Sequence, residues 1–339
     1  LKGINDSEEE IRGTIDFLMP FKNYRNFQGI DLLPYHKLGV NKYVQLGMDY
    51  GINNAGGKPT EEKAFELLQT AVDGGISVID TSSDYGTSEE VVGKFFKQYK
   101  GKKPTIVTKF KIENDHTKVA PISDVRKNLR TQVETSLERL GYDSLPILML
   151  HRESELFDYG DVLPRELEAL KAEKMVDRVG VSLNGCTYVK DVLANDLYEA
   201  VQIPLNMMDT QNVLHGGIDK LKEKGVIVFI RSVFLQGLFF RDPETLPETG
   251  LLSQAKEPLR RLHALAKEEG LSVAQVAITF MRDLAGVNSL VLGAENPDQV
   301  RQNLELANAP ALSASAREKI LDMFGDINPD ILKPWLWNK

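Results

Sequence analysis

The chain has 339 residues, 42% of them hydrophobic and 27% charged, with a net charge of −8; this is a globular composition with room for one large barrel or two ordinary domains. The acidic balance and the lack of a long basic run exclude nucleic acid as a natural partner, and no apolar stretch approaches the ~20 residues of a membrane-spanning helix. Cys186 is the one cysteine, which excludes an internal disulfide and a thiolate-held zinc or iron–sulfur centre and points to the reducing cytoplasm; no signal peptide is visible at Leu1, and the chain begins without Met.

Residues 1–40 read as a helix–strand appendage. Asp6 or Ser7 caps a helix whose apolar face is Ile11, Ile15, Phe17 and Leu18, and residues 29–34 form a strand. From residue 41 to 339 a regular alternation takes over. Strands are predicted over 44–47, 77–81, 105–110, 146–151, 178–182, 200–203, 226–230 and 289–292. Helices are predicted over 61–72, 88–99, 123–140, 162–174, 188–194, 217–223, 258–269, 273–284 and 297–306, with one more over 314–324. The helix over 123–140 takes Ser123 or Asp124 as its cap and buries Val125, Leu129, Val133, Leu137 and Leu140. Eight short, β-branched strands, each followed by a helix, predict a (β/α)8 barrel of the TIM type. The rival doubly wound sheet needs a G-x-G-x-x-G turn, and Gly51, Gly56 and Gly57 lack that spacing.

Chemistry-bearing residues fall at the carboxyl ends of adjacent strands, where a parallel barrel places its active site. The second strand ends in Asp80, with Tyr85 five residues on; the third ends in Lys109 and the fourth in His151. Alone, each is ordinary packing or rim. Together, an acid, a phenol, an ammonium and an imidazole suit carbonyl reduction. Hydride arriving at a carbonyl carbon leaves charge on the oxygen, which then needs a proton. A free phenol is a weak acid, pKa about 10, and Lys109 is expected to lower that value. His151 would orient the substrate oxygen, and Asp80 would hold Lys109.

These residues belong to an ordered set: Asp80-Thr-Ser-Ser-Asp-Tyr-Gly-Thr-Ser-Glu89, Thr108-Lys-Phe110, Leu148-Met-Leu-His151, Gly180-Val-Ser182, Val201-Gln-Ile-Pro-Leu-Asn206, Arg231-Ser-Val-Phe-Leu-Gln-Gly237, and Leu292-Gly-Ala-Glu-Asn-Pro-Asp-Gln299 with Asn303. Over residues 43–339 the chain resembles the aldo-keto reductase superfamily. The resemblance implies an NAD(P)H-dependent barrel enzyme that reduces an aldehyde or ketone, with Tyr85 as proton donor, Asp80 and Lys109 as its tuning pair and His151 as orienter. It also implies that Ser182 and Gln202 hold the carboxamide, with Leu183 where many members have Asn. Arg231 stands where many members stack a Tyr under the nicotinamide. The loop with Ser232, Val233, Leu235 and Gly237 wraps the pyrophosphate. Gly293, Glu295, Gln299 and Asn303 fall at the adenosine end. There the acid at Glu295 would repel a 2′-phosphate. The expected cofactor is NADP or NAD, with a weakened preference for the phosphorylated form.

Residues 1–43 carry a second resemblance, in Asn5-Asp-Ser-Glu-Glu-Glu-Ile11 and Gly29-Ile-Asp-Leu-Leu-Pro-Tyr-His-Lys-Leu-Gly-Val-Asn-Lys-Tyr43. They resemble the C-terminal end of the radical-SAM activating proteins of glycyl radical enzymes. That chemistry needs a Cys-x-x-x-Cys-x-x-Cys motif, which Cys186 alone cannot supply. The stretch is either the remnant of a fusion to such a protein or a replacement for the hairpin that closes the barrel floor. The product aldehyde of a glycyl radical diol dehydratase is the substrate this pairing suggests. A sugar or nucleotide-sugar dehydrogenase and a non-catalytic, cofactor-binding subunit are the alternative functions. The substrate pocket is expected from loops 113–121, 153–159, 239–254 and the tail 328–339, where Trp335 and Trp337 either wall the pocket or pack on the barrel.

Overall fold

The computed structural model describes residues 29–33, 60–112 and 121–337. Eight strands close into one barrel: β1 (Gly29–Leu33), β2 (Val78–Asp80), β3 (Thr105–Phe110), β4 (Leu145–Leu150), β5 (Val176–Ser182), β6 (Tyr198–Pro204), β7 (Ile227–Arg231) and β8 (Ser289–Gly293). Every neighbouring pair is parallel, including β1 with β8. The predicted barrel is therefore the observed one, with one correction. The strand at residues 29–33, assigned above to the appendage, is the first strand of the barrel. Its Asp31 and Leu32 pair with Val78 and Ile79, and all five residues pair with Ser289–Gly293. A five-residue segment such as Gly-Ile-Asp-Leu-Leu meets the local requirement for a strand wherever it stands, and only its pairing decides to which sheet it belongs. The strand expected over 44–47 and the helix near residues 5–20 lie outside the described residues.

Helices cover the outside: α1 (Glu61–Asp73), α2 (Ser88–Gln98), α3 (Ile122–Leu140), α4 (Val162–Ala172), α5 (Val189–Leu193), α6 (Thr210–His215), α7 (Ile218–Lys224), α8 (Lys256–Glu268), α9 (Val273–Arg282), α10 (Pro297–Ala307) and α11 (Ala314–Met323). In α3 the predicted stripe is buried at Val125, Leu129, Val133 and Leu140, with Leu137 at its margin. Its cap differs from expectation. The helix begins one residue early, after Pro121, and the Ser123 hydroxyl bonds the Asp124 carboxylate at 3.2 Å instead of capping. The short α6 was missed; Asp209 caps it through Asn212 N–H, but six residues give too little periodicity to read.

Strand alternation splits the core in two. Residues pointing outward join the helices in one large apolar cluster. Val107, Ile147, Met149, Ala200, Phe229 and Val291 form a second cluster that plugs the barrel, with Val78 packed against it. Two residues beyond these inward side chains, on the same side of each strand, come Asp80, Lys109, His151, Gln202, Arg231 and Gly293. The fold thus brings the ends of six strands to one mouth.

Close packing of the outer layer rests on Gly93 in α2. A Cβ there would lie 1.9 Å from the Arg139 carbonyl oxygen, which is helix backbone and cannot swing aside. Gly93→Ala is expected to force α2 and α3 apart and cost about 1–3 kcal/mol, read as a lower urea midpoint at unchanged slope.

Candidate active site

The lowest layer of the site is an ion pair. Lys109 Nζ contacts both carboxylate oxygens of Asp80, at 2.6 and 2.7 Å, and donates to the Thr81 carbonyl at 3.0 Å. Both residues are 1% exposed. Gln202 adds an N–H to the same Asp80 oxygen at 2.8 Å from the opposite side of the barrel. The counter-charge predicted for Lys109 is therefore Asp80. Gln202, expected on the carboxamide, directs its amide N–H to Asp80, which leaves its carbonyl oxygen for a ligand.

Tyr85 lies above this pair. Lys109 Nζ is 5.3 Å from the centroid of its ring, and His151 meets the ring edge-on at 5.7 Å. Gly86, with φ of 63°, supplies the turn that returns the chain from Tyr85 into α2. The expected lowering of the phenol pKa by Lys109 is overturned. Burial raises the Tyr85 pKa, Asp80 raises it further, and Arg231 opposes them. The reason is that the ring is largely withdrawn from water and lies near a carboxylate, and both favour the uncharged phenol over a phenolate. The Tyr85 phenol keeps its proton across the physiological range.

His151 follows β4 and is tied by its backbone N–H to the Phe110 carbonyl at 2.9 Å. Burial lowers its pKa to about 3, helped by Lys109, Lys111, Arg231 and Arg152. Its ring is therefore neutral and carries a single N–H. Sequence reasoning missed what surrounds it. Ser82 Oγ lies 3.1 Å from His151 Nδ1, and Asp84, ion-paired to Lys111, lies 3.7 Å from the same nitrogen. A hydroxyl at a strand end, one turn before the predicted phenol, was the available signal. Glu155 is buried behind the loop and accepts from Ile112 N–H at 2.8 Å.

The remaining predicted residues lie around the same mouth. Ser182 ends β5 and is buried. Arg231 ends β7 and donates to the Leu183 carbonyl at 3.0 Å; burial holds its guanidinium below the ordinary value, while Tyr85, Asp80 and Glu153 support its charge. After it, Ser232, Leu235 and Gln236 adopt left-handed backbone with φ of 63°, 46° and 53°, and Gly237 follows at 87°. Three non-glycine residues in that region within five positions store strain of the kind that marks ligand loops, and such conformations turn successive N–H groups toward an anion. Val233 and Leu235 anchor the loop in the core. Gln236 Oε1 is buried without a hydrogen-bond partner among the described residues. A strained loop with an orphaned acceptor fits a bound polar cofactor. At the far end, Gln299 accepts from Glu295 N–H at 2.7 Å, Asn303 donates to the Gly293 carbonyl at 3.3 Å, and a Cβ at Gly293 would meet open space. Within residues 293–303 the one cation is Arg301, paired with Asp298 at 2.6 Å. Of the two tail tryptophans, Trp337 packs on the barrel and donates to the Ile331 carbonyl at 2.9 Å, whereas Trp335 is exposed. Burial, and then Asp209, push the Cys186 thiol up to about 12, so it is an inert thiol. Loop residues 113–120 lie outside the described residues.

The neutral state of His151 has a consequence for stability. The unfolded imidazole protonates below pH ~6.5, whereas the folded one refuses the proton until about 3. Between those values the unfolded state binds more protons, so stability is full above pH ~6.5 and falls on acidification, by at most about 1.4 kcal/mol per pH unit. Urea unfolding between pH 7 and pH 5 should show this slope in the wild type and a flatter one in His151→Gln.

Comparisons with known proteins agree with this architecture. The aldo-keto reductase AKR11C1 from Bacillus halodurans, in its holo form, superimposes with a TM-score of 0.64 at 23% identity over 78% of this chain and 87% of its own. The NADH-specific methylglyoxal reductase of Escherichia coli is 25% identical over 269 residues, 71% of this chain and 82% of that protein. A 52-residue segment, 15% of this chain, is 60% identical to the choline trimethylamine-lyase activating enzyme of Oleidesulfovibrio alaskensis, and spans 17% of that enzyme. Residues 46–322 match the model of the Aldo/keto reductase family, and the chain belongs to that family.

Proposed function

We propose that this aldo-keto reductase reduces a small aldehyde to its alcohol, with Tyr85 delivering the proton and His151 orienting the carbonyl oxygen. The observation that carries the reading is the layered mouth of the barrel: a buried, neutralised Lys109–Asp80 pair beneath a protonated phenol set edge-on to a neutral imidazole. When bound, the nicotinamide cofactor supplies the hydride. The phenol O–H of Tyr85 donates to the substrate oxygen, and its proton crosses as charge develops there. A raised phenol pKa keeps that proton in place beforehand. Transfer is still downhill, because an alkoxide-like oxygen is nearly as basic as hydroxide, whose conjugate acid has a pKa of about 15.7. The tyrosinate left behind faces Lys109 and Arg231 and is reprotonated from solvent. Ser182, the carbonyl oxygen of Gln202 and the strained loop at 232–237 are the groups suited to the cofactor, with Arg231 beside the reacting ring.

A small aldehyde is supported by the relatives. One is named for methylglyoxal reduction, and the segment matched to a choline trimethylamine-lyase activating enzyme fits a chain associated with, or fused to, an activating enzyme. A panel of short aldehydes and sugars, followed by cofactor absorbance, is expected to give turnover with the aldehydes. Tyr85→Phe should lower kcat at least ~100-fold, the scale of a lost general acid, with cofactor affinity unchanged. Persistent turnover in that variant would sink the assignment of the donor.

Glu295 and the paired Arg301 lead us to propose NADH as a working cofactor. A carboxylate beside the adenosine ribose suits free hydroxyls and repels a 2′-phosphate. Steady-state kinetics should show turnover with NADH at least equal to that with NADPH. Glu295→Gln should raise kcat/KM for NADPH about fivefold, equivalent to ~1 kcal/mol for a solvated charge contact. A strong NADPH preference in the wild type is the opposing result.

A further inference from the structure

We infer that Ser82 is a positioning residue that sets the tautomer of His151, placing its single proton on Nε2, the nitrogen available to a substrate oxygen. This inference rests on the function proposed above. A neutral imidazole can donate from one nitrogen only. If Nδ1 carries the proton, Nε2 presents a lone pair and repels a carbonyl oxygen. If Nε2 carries it, the ring is a donor. Which form is present is decided by the partner of Nδ1.

That partner is Ser82 Oγ at 3.1 Å. Ser82 is fully buried and lies two residues beyond the end of β2, the strand that carries Asp80. Its oxygen already accepts from the Asp84 backbone N–H at 3.2 Å. Its own proton has two destinations, His151 Nδ1 and the Lys109 carbonyl at 3.3 Å. The Lys109 carbonyl is already served by two donors, the Ser83 N–H at 3.1 Å and the Ser83 hydroxyl at 3.0 Å, which fill its two lone pairs. The Ser82 proton therefore goes to Nδ1, and the imidazole proton goes to Nε2. Among the described residues Nε2 has no protein hydrogen-bond partner.

A competing group stands close by. The Asp84 carboxylate, 3.7 Å from Nδ1, would favour a proton on that nitrogen. Lys111 holds the same carboxylate oxygen in an ion pair, which weakens its pull and leaves the hydroxyl in control. The other charges facing the ring, Lys109, Arg231 and Arg152, are all cationic and keep it neutral without choosing between its nitrogens.

The test is 15N–1H correlation spectroscopy of the histidine side chains in the full-length protein, with the His151 signals assigned by their loss in His151→Gln. Wild type and Ser82→Thr, which keeps the hydroxyl, should show the proton on Nε2. Ser82→Ala should shift it to Nδ1 and lower kcat/KM for the aldehyde about tenfold, with cofactor affinity and melting temperature little changed and activity recovered in Ser82→Thr. A wild-type protein with its proton on Nδ1, or an Ser82→Ala variant with an unshifted tautomer, overturns the inference. The spectra do not require turnover, so they separate it from the Tyr85 assignment: a correct tautomer with full activity in Tyr85→Phe would refute the proposed donor and leave the role of Ser82 standing.

Discussion

Two opposite charges removed from water at the barrel mouth, Lys109 and Asp80, are the constraint on which the rest of the site depends. Neither is tolerable alone in that position: losing one partner of a buried pair strands the other at about 3–5 kcal/mol. The pair therefore demands the register in which Asp80 sits beside Val107, with Lys109 two residues further along the same strand. It also demands further partners, which Thr81 and Gln202 supply. Because Gln202 reaches Asp80 from β6, the carboxylate ties together strands that do not adjoin. The pair also sets the electrostatics above it. A bare ammonium under Tyr85 would favour phenolate, but burial first and Asp80 second keep the proton on the phenol.

The barrel's alternation explains why such different side chains converge. Val78, Val107, Met149, Ala200 and Phe229 fill the interior, and the next inward position on each strand is Asp80, Lys109, His151, Gln202 and Arg231. Below that step the interior is filled mainly by apolar groups. At that step the plug ends and polar side chains find partners across the mouth as well as on the adjoining strand. The site is the layer at which the core stops being hydrophobic, so its position is fixed by packing and its chemistry by the identity of one residue per strand.

The sequence was most legible where this rule holds. Short apolar runs closing on Asp80, Lys109 and His151 disclosed the barrel and the side chains that meet at its mouth, and bounds such as Thr105–Phe110 are those observed. It was least legible where tertiary pairing outweighs local pattern. The run at Gly29–Leu33 looked like part of an appendage because nothing in five residues states which strand lies beside them. The phenol pKa was misjudged because a sequence shows that Lys109 and Asp80 are near Tyr85, but not that the ring is withdrawn from water, which is the first cause of its raised pKa. Ser82 was overlooked for the same reason, since its meaning lies in a partner 69 positions later. Trp335 and Trp337 differ by two positions and have opposite fates, because only Trp337 finds a carbonyl for its indole N–H.

Around the mouth the charges come in opposed sets. Lys109 faces Asp80, Lys111 faces Asp84, and Arg231 feels Glu153 and Asp80. Between them stand a neutral phenol and a neutral imidazole. A ground-state carbonyl gains only ordinary dipole contacts from such a site. Under the proposed function, an oxygen that turns negative would gain far more, from the phenol O–H and the imidazole N–H together with the Arg231 charge behind them. Stabilisation that grows with developing charge lowers the barrier without tightening the ground state, and this differential is what a site of balanced charges and neutral donors supplies.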